Sequence, residues 1–293
     1  MRFGLQTAPY MSEPPATLRR IGPDWPFTAA FWFIGSVYLA LILAMVAADS
    51  AYTSAAQIAR ALGTREIQYS IKLSLLSCSV SALLSLLVAV PLGYLLSRYE
   101  FRGKSLLDTV LDIPIVLPPL VIGLSLLILF QVKVGGQSID EWLRTRLNFP
   151  VTYAIPSVVL AQFSVACAFA VRTMRVTFEQ INPRNEQVAL TLGCTRSQAF
   201  WRVVFPEARR GALTAATLAW ARSLGEFGPI LIFSGATRMK TEVLSTTVYL
   251  ELSVGRLDAA VAVSLLMIGV ALIVLLLVRL LGGEATFGKA LRP

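Results

Sequence analysis

The chain has 293 residues, 56% of them hydrophobic and only 15% charged, where a soluble globular domain is about a quarter charged. Because the apolar residues fall in long blocks, this composition excludes an ordinary soluble domain. The net charge of +9, from 26 Lys and Arg against 17 Asp and Glu, lies mainly in the gaps between blocks, which points to membrane topology and anionic lipid headgroups, with no nucleic-acid partner. There is no His, and Cys78, Cys167 and Cys194 lack metal-ligand spacing. The commonest general base and the commonest metal ligand are therefore missing, and no catalytic, cofactor-binding or metal set is identified.

A helix needs about 20 apolar residues to cross a bilayer core, and six segments meet or approach that length. The first runs over 28–48 behind a tail at 1–27; it is longer than the 7–15-residue core typical of a signal peptide and reads as an uncleaved anchor. The second follows Lys72 and reaches residue 97, before Arg98. The third covers 106–130 and holds Pro114, Pro118 and Pro119. Those prolines remove three backbone donors within two turns and predict a kink or break. Such a break is tolerated at membrane depth only against protein or a water-filled cavity. The segment is then either a helix bent around a translocation path or a static kink in a bundle. The fourth span covers 151–171.

The segment 172–210 lies between spans and carries local structure. Asn182-Pro183 marks a turn, and 184–192 reads as a short helix closed by Gly193, a residue suited to a left-handed C-terminal position. Thr195-Arg196-Ser197-Gln198 has capping-box spacing and predicts a second short helix, stopped by Pro206. A helix pair exposing apolar side chains needs a surface to dock on, either a partner or the ends of its own spans.

The fifth span covers 211–235 and contains Arg222 and Glu226. Each charge at membrane depth costs about 2.5–3.5 kcal/mol on insertion scales, and the i, i+4 spacing lets the two pair. An unpaired Glu226 would repel an oxyanion, so a gate or packing pair is favoured over an anion site. The sixth span covers 259–278, with a tail at 282–293. With both termini cytoplasmic, 16 of the 26 Lys and Arg residues fall on the cytoplasmic side, as the positive-inside rule requires. These features describe an all-α, polytopic membrane protein of about six transmembrane helices, with one transmembrane domain over 28–281. The phosphate-binding sequence G-x-x-x-x-G-K-[ST] is absent, so energy must come from a partner.

Gln187-Val188-Ala189-x-x-x-Gly193, followed after nine residues by Val203-x-Phe205-Pro206, resembles the EAA motif of ABC importer permeases. Gln187 stands where the motif has Glu, with Glu186 one place earlier. Ala221-Arg222-Ser223-Leu224-Gly225-Glu226-Phe227-Gly228 and the run from Pro114 to Gly123 resemble stretches of the molybdate, tungstate and sulfate permeases, and the likeness covers roughly 73–278. It implies an ABC type I importer permease-like bundle in the cell (inner or plasma) membrane. It implies a homodimer working with two copies of a cytoplasmic ATPase and an extracytoplasmic solute-binding protein. Glu186, Gln187, Ala189, Gly193, Val203, Phe205 and Pro206 would form the ATPase-coupling loop; Pro118, Pro119, Arg222 and Glu226 would belong to the pathway or gate. The cargo implied is an oxyanion, molybdate or tungstate first and sulfate or thiosulfate as the alternative; an ion-gradient-driven carrier is a weaker competitor.

Overall fold

The computed structural model describes residues 25–134 and 136–282. The terminal tails assigned to 1–27 and 282–293 therefore fall, apart from residues 25–27 and 282, outside the described residues. The first span is the helix α1 (Trp25–Tyr52), apolar around its whole circumference and without a buried residue. It starts three residues earlier and ends four residues later than its hydropathy predicts.

The second span is α3 (Arg65–Arg98), which continues through Pro91. The fourth is α7 (Ile155–Gln180) and the sixth α13 (Leu257–Gly282). With α1, these are the four described helices long and apolar enough to cross a membrane unaided. The third span is split into α4 (Lys104–Val116) and α5 (Pro119–Gln131), which meet at 111°. Pro118 supplies the extended backbone between them, and Pro119 takes the first turn of α5, where the missing N–H costs nothing. The fifth span is broken too. Helix α10 (Phe205–Leu224) ends at Gly225, and α11 (Gly228–Phe233) restarts with Pro229 in its first turn. An uninterrupted helix over 211–235 is thus corrected: Gly228-Pro229 opens a new helix in its middle.

The gaps between spans also hold helices. They are α2 (Ala55–Gly63), α6 (Ile139–Leu147) and α12 (Leu244–Ser253), with a two-residue antiparallel ribbon, Lys133–Val134 against Gln137–Ser138, before α6. Reciprocal capping boxes start α2 at Ser54 and α6 at Ser138.

Helices α3, α7 and α10 form the packed centre. Their contact surfaces are small: Ala82, Ala89, Ala166, Ala170, Ala208, Ala212, Ala215 and Ala219 are all buried in one cluster. Small residues let helix backbones approach where lipid offers no hydrophobic drive between helices. At Gly93 the approach is close, since a Cβ there would lie 2.8 Å from the Arg175 backbone nitrogen. Buried Gln162 ties the three helices together. Its Oε1 accepts from the Ser81 hydroxyl at 3.2 Å, and its Nε2 donates to the Ser223 carbonyl at 3.3 Å. Arg175 on α7 holds α4 through Asp108 at 2.7 Å.

Candidate functional site

Two arrangements hold the residues singled out by sequence. The first is the segment after α7. Helix α8 (Pro183–Thr191) starts at Asn182, whose side chain accepts from the Arg184 N–H at 3.0 Å. It ends in a Schellman turn: the Cys194 N–H donates to the Ala189 carbonyl at 3.1 Å and the Gly193 N–H to the Leu190 carbonyl at 3.0 Å, with Gly193 at φ +89. A non-glycine residue pays for that φ. Thr195 then caps α9 (Arg196–Ala199): its N–H donates to Gln198 Oε1 at 3.0 Å, and its hydroxyl accepts from the Gln198 N–H at 3.3 Å. Both predicted caps are present.

The predicted stop at Pro206 is not. Helix α9 passes through a π-helical turn, Phe200–Val204, straight into α10, with Pro206 in the first turn of that helix. A π turn shifts the hydrogen-bond ladder just where proline lacks its donor, so the chain continues as helix. The segment is thus joined by helix to the fifth span.

The seven residues expected in the coupling loop divide by direction. Gln187, Gly193 and Pro206 are exposed, Val203 and Phe205 are half-buried, and Ala189 is buried. Glu186 turns inward: its carboxylate accepts from the Tyr94 hydroxyl on α3 and lies 3.5 Å from Arg98 Nε. The outward face is apolar, with Leu192 80% exposed, Trp201 59% and Val188 56%. Leu192, Tyr94 and Arg98 were not singled out by sequence reading, whereas Trp201 lies on the second short helix, which was expected to expose apolar side chains. The exposed apolar pair follows from helical phase, but the contacts to α3 bridge about 90 residues and leave no local signature.

The second arrangement is the meeting of the two broken spans. Gly123 on α5 faces α11 so closely that a Cβ would lie 2.8 Å from Pro229 Cα and 3.0 Å from its carbonyl oxygen. Gly228 answers it, with a Cβ position 3.0 Å from the Leu120 nitrogen and from Pro119 Cβ. Pro119 therefore lies in the crossing itself, and Pro118 makes the bend that brings α5 there. Arg222 Nη1 reaches Glu226 Oε1 at 2.7 Å, pairing as the spacing predicts. The guanidinium also lies 5.7 Å from the centre of the Phe169 ring, within reach of a cation–π contact. The Glu226 carbonyl accepts from the Ser245 hydroxyl at 2.6 Å, so the break between α10 and α11 is tied to α12. Among the described residues no group of His, Cys, Asp or Glu is placed to hold a metal ion.

The sequence profile of the binding-protein-dependent transport system inner membrane component family matches residues 89–283. The sulfate transport system permease of Escherichia coli is 32% identical over 251 residues, 86% of this chain and 88% of that protein. The molybdate/tungstate transport system permease of Pyrococcus abyssi is 34% identical over 212 residues, 72% of this chain and 77% of that protein. The molybdenum transport system permease of Mycobacterium bovis is 32% identical over 265 residues, 90% and 95% of the two chains. Among solved structures, a bacterial alginate ABC transporter in complex with an alginate pentasaccharide-bound periplasmic protein matches with a TM-score of 0.68 at 20% identity. It covers 90% of this chain and 96% of that one, and supports the fold.

Proposed function

The chain belongs to the family of binding-protein-dependent transport system inner membrane components, and from that membership we propose that it is the permease subunit of an ATP-driven importer of molybdate or tungstate. It is a multi-pass membrane protein. The observation that carries the reading is the outward face of α8 with the π turn: Val188, Leu192 and Trp201 stand exposed on a segment whose first helix is capped at both ends and whose second runs through the π turn into α10. Exposed apolar side chains on a rigid handle are suited to a groove on a partner. The partner is a cytoplasmic ATPase, which puts α8 and both chain termini on the cytoplasmic side, in keeping with the Lys and Arg distribution.

Two copies of the chain with two ATPases form the working unit. Nucleotide binding draws the ATPases together, displaces α8 in each permease, and switches the bundle between two states. The crossing of the broken spans at Gly123 and Gly228, with Pro118, Pro119 and the Arg222–Glu226 pair, is the part of the bundle that opens. A continuous helix resists bending, whereas two half-helices hinge at a break. An extracytoplasmic solute-binding protein delivers the anion; the alginate transporter was solved in complex with a pentasaccharide-bound periplasmic protein.

Sulfate is the second reading, because a sulfate permease is as similar to this chain as a molybdenum one. The test is reconstitution of the chain in vesicles with its ATPase and solute-binding protein. ATP-dependent uptake of molybdate or tungstate in preference to sulfate is expected. Uptake of sulfate alone would replace the cargo, and uptake without ATP would overturn the mechanism.

A further inference from the structure

Helix α8 can pass motion to the membrane only if it does not rock on its own hinges, Asn182 at one end and Gly193 at the other. Four polar contacts, on its inward side and beside it, tie it to the end of α3 and to its flanks. Glu186 accepts the Tyr94 hydroxyl and lies 3.5 Å from Arg98 Nε, with the Arg98 side chain only 9% exposed. Arg98 Nη2 in turn donates to the Ile181 carbonyl at 3.0 Å, just before α8 begins. Beyond α8, Arg196 Nη1 donates to the Tyr99 hydroxyl at 3.3 Å. Tyr94 is also wedged edge-on between Phe178 on α7, centroids 5.6 Å apart, and Phe200 in the π turn, 4.9 Å apart. One tyrosine thus meets α7, α8 and the π turn, and its hydroxyl is committed to a carboxylate.

We propose that Tyr94 and Arg98 are positioning residues that, through Glu186, lock α8 to the end of α3, so that displacement of α8 turns the second span instead of being absorbed in the connecting segment. This assigns Glu186 to an internal latch and leaves the ATPase contact to the exposed Val188, Leu192 and Trp201; it rests on the permease reading above. A charge-assisted hydrogen bond among partly desolvated groups is among the stronger polar contacts available for such a lock.

Two measurements test it. In the permease alone, amide exchange over residues 184–191 should rise about tenfold in Tyr94→Phe, the effect of losing one hydrogen bond to a charged group; unchanged exchange would overturn the latch whatever the ATPase does. In vesicles with ATPase and binding protein, Tyr94→Phe and Arg98→Gln should keep the ATPase bound. Molybdate or sulfate moved per ATP, whichever anion the unaltered complex takes up, should fall about tenfold for the same reason. Arg98→Glu should lose the same coupling and regain part of it when combined with Glu186→Arg. Loss of the ATPase from Tyr94→Phe would instead make this a docking contact and overturn the proposal, as would an unchanged yield per ATP. Failure of the unaltered chain to bind any ATPase would sink the permease reading and the transmission role with it, while the exchange result would still decide the lock.

Discussion

Replacing Gly123 with alanine should separate the two broken spans at the point where they touch. A methyl group on Gly123 would meet Pro229 Cα at 2.8 Å and its carbonyl oxygen at 3.0 Å, and ordinary contact starts at 3.4 Å. The obstacle is backbone, not the end of a flexible side chain, so one helix must move by roughly 0.6 Å, and overpacking of this kind costs about 1–3 kcal/mol. Alanine at Gly269 on α13 has nothing within 4 Å of its Cβ position and should be neutral or slightly stabilising, because alanine is the better helix former by about 1 kcal/mol. Thermal unfolding of the purified chain in detergent, followed by helix signal, compares the two variants. Gly228→Ala wedges the same contact from the other side, so the double variant with Gly123→Ala should lose less than the sum of the single losses. Equal melting of the Gly123 and Gly269 variants would refute the close approach, and strict additivity of the pair would refute a shared contact.

At Gly193 the space around a Cβ is open, so Gly193→Ala should cost only the price of a left-handed backbone, about 1–2 kcal/mol, and lower uptake per ATP more than it lowers the melting temperature. Arg222→Glu should impair assembly or uptake, and adding Glu226→Arg should restore part of it; a double variant no better than the single one would argue that the 2.7 Å pair does no more than fill space. Asp140 straps the segment after α6 by accepting the Thr152 N–H at 2.8 Å and the Val151 N–H at 3.1 Å. Burial pushes its carboxyl up, but those two N–H groups, the Thr152 side chain and Arg144 together outweigh it and hold it below the usual value. A carboxyl held low stabilises the fold above its unfolded value, near 3.9, and that contribution is lost as pH falls through the lower folded value. Asp140→Asn should therefore unfold more readily than the unaltered chain at neutral pH, by about 1–2 kcal/mol, and the two curves should converge in strong acid.

Much of this architecture is legible in the sequence because its signals are local. The cap at Thr195, the closing Gly193 and the Arg222–Glu226 pair each depend on residues within five positions of one another, and each stands where its spacing places it. Apolar length locates the spans because the bilayer fixes how much helix must be covered. Hydropathy does not locate the break at 225–227, since the one charge there, Glu226, is matched by Arg222 inside α10 and marks no boundary; Pro229 was the available sign. The helices in the gaps carried a sign too, in the Ser54–Gln57 and Ser138–Glu141 spacings. Pro206 misleads for a physical reason, because a π turn directly before it accommodates the ring that an unbroken α-helix would reject. The inward turn of Glu186 depends on Tyr94 and Arg98 from another helix, and no window along the chain contains all three.

In the proposed transporter the α8 segment faces the cytosol and is gripped by a separate ATPase. Cys194 sits beside the Gly193 turn and is partly accessible, while Cys78 is buried. A membrane-impermeant maleimide applied to sealed cells and then to opened membranes measures the sidedness of Cys194 and its cover by the ATPase. Labelling of Cys194 should need opened membranes and should be blocked when the ATPase is bound. Labelling from outside sealed cells, or labelling at the same rate with and without the ATPase, would contradict it.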